Sequence, residues 1–178
     1  LQLLGGGPSA ERWEASILIT AIGYQGVRPA DWPGDTVARA VAFQDNDPDD
    51  PGAALLAYHY EADRGNLVQA GVFLNRALDN AVHIPVFARA VYRIEDAWLA
   101  LLRNQDLETA EGQFREIGTT GLFRQAALYR VKALAALVSG QAEEARRLAA
   151  EGLKAAEDDW DPGLREYDLD WLHRMASG

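Results

Sequence analysis

One phrase recurs three times along this chain, and it limits the possible folds more than any other feature. Gly65-x-Leu67-x-x-Ala70-x-x-x-Leu74-x-x-Ala77 is echoed by Gln105-x-Leu107-x-x-Ala110-x-x-x-Phe114-x-x-Ile117. The third copy is Gly140-x-Ala142-x-x-Ala145-x-x-x-Ala149-x-x-Gly152, so successive copies are offset by 40 and then 35 residues. Each copy follows an apolar stretch with helical spacing. A period in this range marks an array of helical hairpins, in which each pair of helices buries its apolar face by stacking on the next. The fold class expected is all-α, an α-solenoid of three to four antiparallel hairpins with a C-terminal capping helix. No segment alternates in polarity as a strand would.

The physical role of each phrase position can be stated in advance. A small residue at Ala70, Ala110 or Ala145 lets the second helix of a pair approach the first. Leu74 and Phe114 fill the space to the neighbouring pair. Gly65 and Gly140 allow a tight helix-to-helix turn, because glycine reaches left-handed backbone angles cheaply. Gln105 replaces that glycine in the middle copy, so its turn is expected to differ.

Punctuation along the chain sets the boundaries. Residues 1–8 read as a linker, an apolar Leu1-Gln2-Leu3-Leu4 ending in Gly5-Gly6-Gly7-Pro8. A single repeat domain spans 9–178, opening with a degenerate hairpin over 9–44. Within that hairpin Ser9 caps a helix to about 23, and two prolines and two glycines in residues 26–34 impose a structured loop that Trp32 pins to the core. The repeats fall at about 52–80, 86–117 and 122–157, with Pro85 opening a long helix near 86–103. Asp161-Pro162-Gly163 reads as a turn before a cap over 164–175. On that cap Leu164, Tyr167, Trp171 and Leu172 form the apolar face and the other face is charged.

Phrase and period together resemble the tetratricopeptide repeat over roughly residues 52–158. The resemblance departs at Tyr58 and Trp98, which stand where the family usually has Gly or Ala. It implies that the first helices of the pairs line a concave face that holds another protein. By register with the phrase, the candidate groove residues are Leu55, His59, Ala62 and Asp63 in the first pair. The second pair contributes Tyr92, Glu95, Leu99 and Arg103, and the third Arg130, Leu134 and Val138. Carboxylate-clamp members of the family hold a peptide's terminal carboxylate with Lys, Arg and Asn. Here Arg103 and Arg130 are suitable cations, but the matching Asn is replaced by His59, Leu99 and Leu134. A mixed apolar groove for a segment or helix is expected instead.

A second resemblance covers the whole chain. Gly6-Gly7-Pro8-Ser9-Ala10-Glu11-Arg12, Gly26-Val27-Arg28-Pro29-Ala30-Asp31-Trp32, and Leu55-Leu56-Ala57-Tyr58-His59 with Asp63-Arg64-Gly65-Asn66-Leu67 resemble the C-terminal extension of bacterial site-2-type membrane zinc metallopeptidases. It implies a parent protein with spanning helices and an H-E-x-x-H motif upstream of Leu1, and a place on the cytoplasmic side of its membrane.

Composition narrows the classes of function. A net charge of -10 disfavours nucleic acid and anionic lipid, which need a concentrated basic face. Two acidic runs, 45–50 and 157–161, lack the spacing and central Gly of a calcium loop and read as solvated turns. The chain has no cysteine, which removes disulfides and thiolate chemistry and fits a reducing compartment. Its three histidines, His59, His83 and His173, form no H-E-x-x-H, and neither a phosphate-binding loop nor a nucleophile elbow occurs. Glu95 and Asp96 are adjacent on a helix and point apart, which suits no paired acid–base mechanism. Trp13, Trp98 and Trp171 read as packing, whereas Trp160 lies among acids in a turn. The expectation is therefore a non-catalytic protein-binding module with no catalytic residues, metal site or cofactor. Its partner would be a protein or peptide, with no nucleic acid and no direct membrane contact. The alternative is an appendage that packs on its own upstream domain or forms a homodimer.

Overall fold

The computed structural model describes residues 27–44, 51–81, 86–117, 125–158 and 162–177. Every regular element among them is helical. A 3-10 turn at Pro29–Asp31 precedes α1 (Gly34–Gln44), α2 (Pro51–Asp63) and α3 (Leu67–Asn80). There follow α4 (Val86–Asn104), α5 (Leu107–Ile117), α6 (Gln125–Val138), α7 (Ala142–Ala155), a 3-10 turn at Ala156–Asp158, and α8 (Pro162–Ser177). The expected helix over 9–23 lies outside the described residues, as do Trp13, His83 and Trp160. The helices gather into two compact units, one containing α1–α3 and the other α4–α8.

Consecutive helices pack in pairs, α2 with α3, α4 with α5 and α6 with α7, and the phrase marks where each pair closes. Ala70, Ala110 and Ala145 are buried, at 0%, 0% and 1% exposure. In each copy the phrase alanine donates the first helical hydrogen bond, to the carbonyls of Asn66, Asp106 and Gln141 respectively. One small residue therefore sits at the same place in the first turn of three different helices. There it removes the bulk that would hold the partner helix away.

The turns themselves are nearly alike. Gly65 has φ +81 and Gly140 φ +76, and after each the next residue's N–H reaches back five residues, Asn66 to Glu61 and Gln141 to Ala136. Gln105 adopts φ 52, so it takes the same left-handed conformation without being glycine. The middle turn differs in its hydrogen bonds. Asp106 N–H reaches back six residues to Ala100, and the Asp106 side chain caps α5 through the Thr109 N–H at 3.0 Å and hydroxyl at 2.7 Å. Asn66 and Gln141 make no such side-chain cap. Left-handed backbone is costly for a residue with a Cβ, and a capping carboxylate on the following helix offsets part of that cost.

Which helices lie in the middle follows from composition. α2 is buried at Ala54, Ala57, Tyr58, His59 and Ala62, positions that wrap well around its axis, and it lies against α1, α3 and the first 3-10 turn. α6 is almost wholly apolar and touches α4, α7 and α8. A helix packed on several sides needs apolar residues on several faces rather than one stripe. Trp32 behaves as the sequence predicts: it is 4% exposed, and its indole N–H donates to the Val27 carbonyl at 3.0 Å.

One boundary expectation is corrected, and one face of the cap carries more than expected. Asp161-Pro162-Gly163 is not a turn throughout, since α8 begins at Pro162, where a residue lacking N–H opens a helix at little cost. The apolar face of α8 also carries an acid, Asp168, which lies in line with Trp171 and Leu172 and is 0% exposed.

Candidate functional site

The candidate groove residues divide between the two units. In the first, His59 is 2% exposed and packs its ring 5.0 Å from that of Tyr58, and Ala62 is buried. Asp63 has a specific structural role. Its carboxylate, 2% exposed, accepts from Arg28 Nη2 at 2.6 Å and from the Ala30 N–H at 2.9 Å. Asp63 thus ties the Arg28-Pro29-Ala30-Asp31-Trp32 loop to the end of α2. Leu55 is half-buried. The first unit also holds a concavity of about 310 Å³, bordered by Val37 and Ala38 of α1, Tyr60 and Glu61 of α2, and Phe73 of α3.

The second unit brings two of the predicted residues together directly. Arg130 of α6 donates from Nη2 to Glu95 Oε2 of α4 at 3.0 Å. A third residue, which the sequence analysis did not single out, completes the group: Asp168 of α8 lies with Oδ1 3.1 Å from Arg130 Nε. All three side chains are 0% exposed. The Arg130 guanidinium also stands 4.1 Å from the Trp98 ring and 4.9 Å from the Tyr167 ring. Trp98 Nε1 donates to the Tyr167 hydroxyl at 3.0 Å, and the Trp171 ring meets Trp98 edge-on at 5.0 Å. Burial raises the Tyr167 pKa, with Arg130 opposing the rise.

Charges this deeply buried persist only when paired, because desolvation of each ion costs several kcal/mol, of order what Coulombic attraction returns. Here one guanidinium answers two carboxylates and two aromatic faces, so a single side chain links helices α4, α6 and α8. Glu95 and Arg130 are accordingly not the open wall of a groove. α8 covers them.

The remaining candidates differ in exposure. Tyr92, Leu99 and Leu134 are 7%, 5% and 9% exposed, Val138 is half-buried, and Arg103 is exposed. On the far side of α8, Gly152 of α7 meets Leu172. A Cβ at position 152 would come within 2.8 Å of Leu172 Cδ2 and 2.7 Å of Tyr129 Cβ. α8 is therefore held in a cleft with walls from α4, α6 and α7. His173 is exposed near its C-terminal end.

On the outer face of unit two, Gln113 of α5 donates to Asp96 Oδ2 at 2.6 Å and accepts from Arg93 Nη1 at 3.0 Å. Burial, the largest influence, raises the Asp96 pKa, and the Gln113 hydrogen bond and the Arg93 charge pull the other way. Among the described residues no cluster of three or more His, Asp or Glu side chains could hold a metal, and no helix is long and apolar enough to cross a membrane.

Comparisons with protein-family models, with curated proteins and with solved structures find no match to this chain.

Proposed function

We propose that the chain is a non-catalytic protein-binding module, built from tetratricopeptide-like helical hairpins, that takes up a helix or extended segment of another protein. One observation carries this reading. The second unit already holds a helix, α8, packed against α6 and α7 and reaching Trp98 of α4, with Leu172 and Met175 as apolar anchors of the kind a helix-in-groove complex uses. The repeat reading is supported by three alanines in one register and three left-handed turn residues, Gly65, Gln105 and Gly140.

Photo-crosslinking residues placed at Arg103 and at Val138 test this reading, with Lys154 on α7 as the control position. Capture of one discrete protein from Arg103 and Val138, lost on adding unlabelled chain and missing from the control, is expected. Equal labelling at all three positions would count against it.

A second reading, self-association, is favoured by one specific observation. Val68 and Val72 lie one turn apart on α3 with 73% and 43% of their surface exposed. Light scattering on the full chain distinguishes the two, since a concentration-dependent dimer abolished by Val68→Glu supports self-association. For the setting of either activity, we keep the resemblance to the C-terminal extension of a membrane metallopeptidase. Such a module would work in the cytoplasm beside its anchored parent.

A further inference from the structure

We propose that the cleft between α4, α6 and α7 is the binding site itself, occupied in cis by α8. Its partner is then a helix with the chemistry of α8: an aromatic–acidic pair followed, three and four residues after the acid, by an aromatic and an aliphatic residue. The inference rests on the protein-binding reading above and specifies its site.

Three observations point this way. The recognition contacts are specific on both sides of α8. Asp168 meets Arg130 at 3.1 Å, the Tyr167 hydroxyl accepts from Trp98 at 3.0 Å, and Leu172 fills the space left by Gly152. Gly152 lies inside helix α7, where glycine is disfavoured relative to alanine. Its benefit there is room for Leu172. Finally, the contacts are ionic where apolar ones would serve stability at least as well, since replacing a buried ion network by hydrophobic residues is often neutral or stabilising. A helix needed only to cover the end of a stack requires an apolar stripe. Asp168, Trp171, Leu172 and Met175 form such a stripe with an acid at one position, and that acid faces Arg130. This is how an interface selects one helix among many amphipathic ones.

Occupancy in cis sets the competition. A tethered helix acts at an effective concentration of order millimolar, so a free helix of equal intrinsic affinity displaces it poorly. The cleft takes a partner when α8 is weakened or when the partner's contacts are better.

The probe is a labelled synthetic peptide with the sequence of Pro162–Ser177, added to the full chain in its native form and as Asp168→Lys, with binding followed by anisotropy. The Asp168→Lys chain is expected to bind the peptide at least about tenfold tighter than the native chain, because loss of a buried ionic partner falls on the cis helix alone. A peptide carrying the same substitution should bind that chain at least about tenfold more weakly than the native peptide. Equal affinities in either comparison, or no binding by a substituted chain whose circular dichroism remains helical, would overturn the proposal. A substituted chain that dimerises by exchanging α8 would overturn it in favour of a second copy as occupant. Hydrogen exchange on the native chain gives a test independent of any substitution: α8 amides should exchange at least about tenfold faster than the core amides of α6, as expected for sub-global opening. Equal protection of the two helices sinks the idea. If α8 stays closed while Arg103 and Val138 still capture a protein, the module reading survives and this inference does not.

Discussion

Gly152 of α7 and Leu172 of α8 approach so closely that a single added carbon at position 152 would stand 2.8 Å from Leu172 Cδ2. The third copy of the repeated phrase ends at this glycine, where the first two copies end in Ala77 and Ile117. The substitution of glycine for a larger residue therefore coincides with the arrival of the terminal helix. Gly152→Ala should destabilise the second unit by about 1–3 kcal/mol, the usual cost of overpacking, despite alanine's better helix propensity. Thermal melting measures this. An unchanged or raised midpoint would show that α8 yields without cost.

The turns predict effects of opposite sign for glycine. Gly65 and Gly140 have positive φ with nothing within 4 Å of an added Cβ, so a substitution there is opposed by the backbone alone. Gly65→Ala and Gly140→Ala should each cost about 1 kcal/mol. Gln105→Gly should gain up to about 1 kcal/mol, because its φ of 52 is already the glycine conformation. Urea denaturation checks all three, and a destabilising Gln105→Gly would mean that the glutamine side chain contributes a contact of its own.

Asp106 supplies a pH-dependent cap. Hydrogen bonds from the Thr109 backbone and then from its side chain hold the Asp106 pKa below the ordinary carboxyl value. A carboxyl with a depressed folded pKa stabilises the fold above its unfolded pKa and loses that contribution as pH falls through the folded value. Asp106→Ala should therefore lower the melting temperature at pH 7, and the gap from the native chain should close in the acid range. A gap independent of pH would contradict the charged cap.

Asp96 behaves in the opposite sense. Its pKa is raised chiefly by burial, so its ionisation disfavours folding, and the penalty sets in as pH rises from the unfolded value through the folded one. In Asp96→Asn the amide oxygen still accepts from Gln113, and no charge needs to be buried. The substituted chain should be at least as stable as the native one at neutral pH and lose its advantage below the ordinary carboxyl range. Melts across pH 3–8 would show this, and parallel curves would rule it out.

How much of this was legible in the sequence depends on which residues carry the information. Ala70, Ala110 and Ala145 disclosed the helix pairs because close packing leaves a small residue at a fixed place in the register. Pro162 is harder to place from sequence. Pro162 was read as breaking the chain, but at the first position of a helix it begins one. Gln105 hid its left-handed turn, because a side chain at positive φ gives no compositional signal. The larger gap concerns Asp168. A charged residue on a mostly polar helix reads as solvated, yet Asp168, Trp171, Leu172 and Met175 have the i, i+3, i+4, i+7 spacing of one face, with Trp171 half-buried and the other three buried. Arg130 has the complementary signature, a cation embedded in Ala126-Ala127-Leu128-Tyr129 and Val131. Opposite charges inside two apolar stripes are a signal for a buried ion pair. Pairing Arg130 with Asp168 across 38 residues, however, requires knowing that α8 folds back over α6.

A double-mutant cycle between Arg130 and Asp168 tests the central claim, that one buried ionic centre fastens α8 to α4 and α6. Stability would be measured by urea denaturation for Arg130→Met, Asp168→Asn and the combination. Breaking a buried pair costs about 3–5 kcal/mol, so each single change should be severe. The combined loss should fall short of the sum by about 1–3 kcal/mol, the coupling of residues in direct contact. Losses that add to within about 0.5 kcal/mol would mean that the two residues act independently, and that α8 is held by its apolar contacts alone.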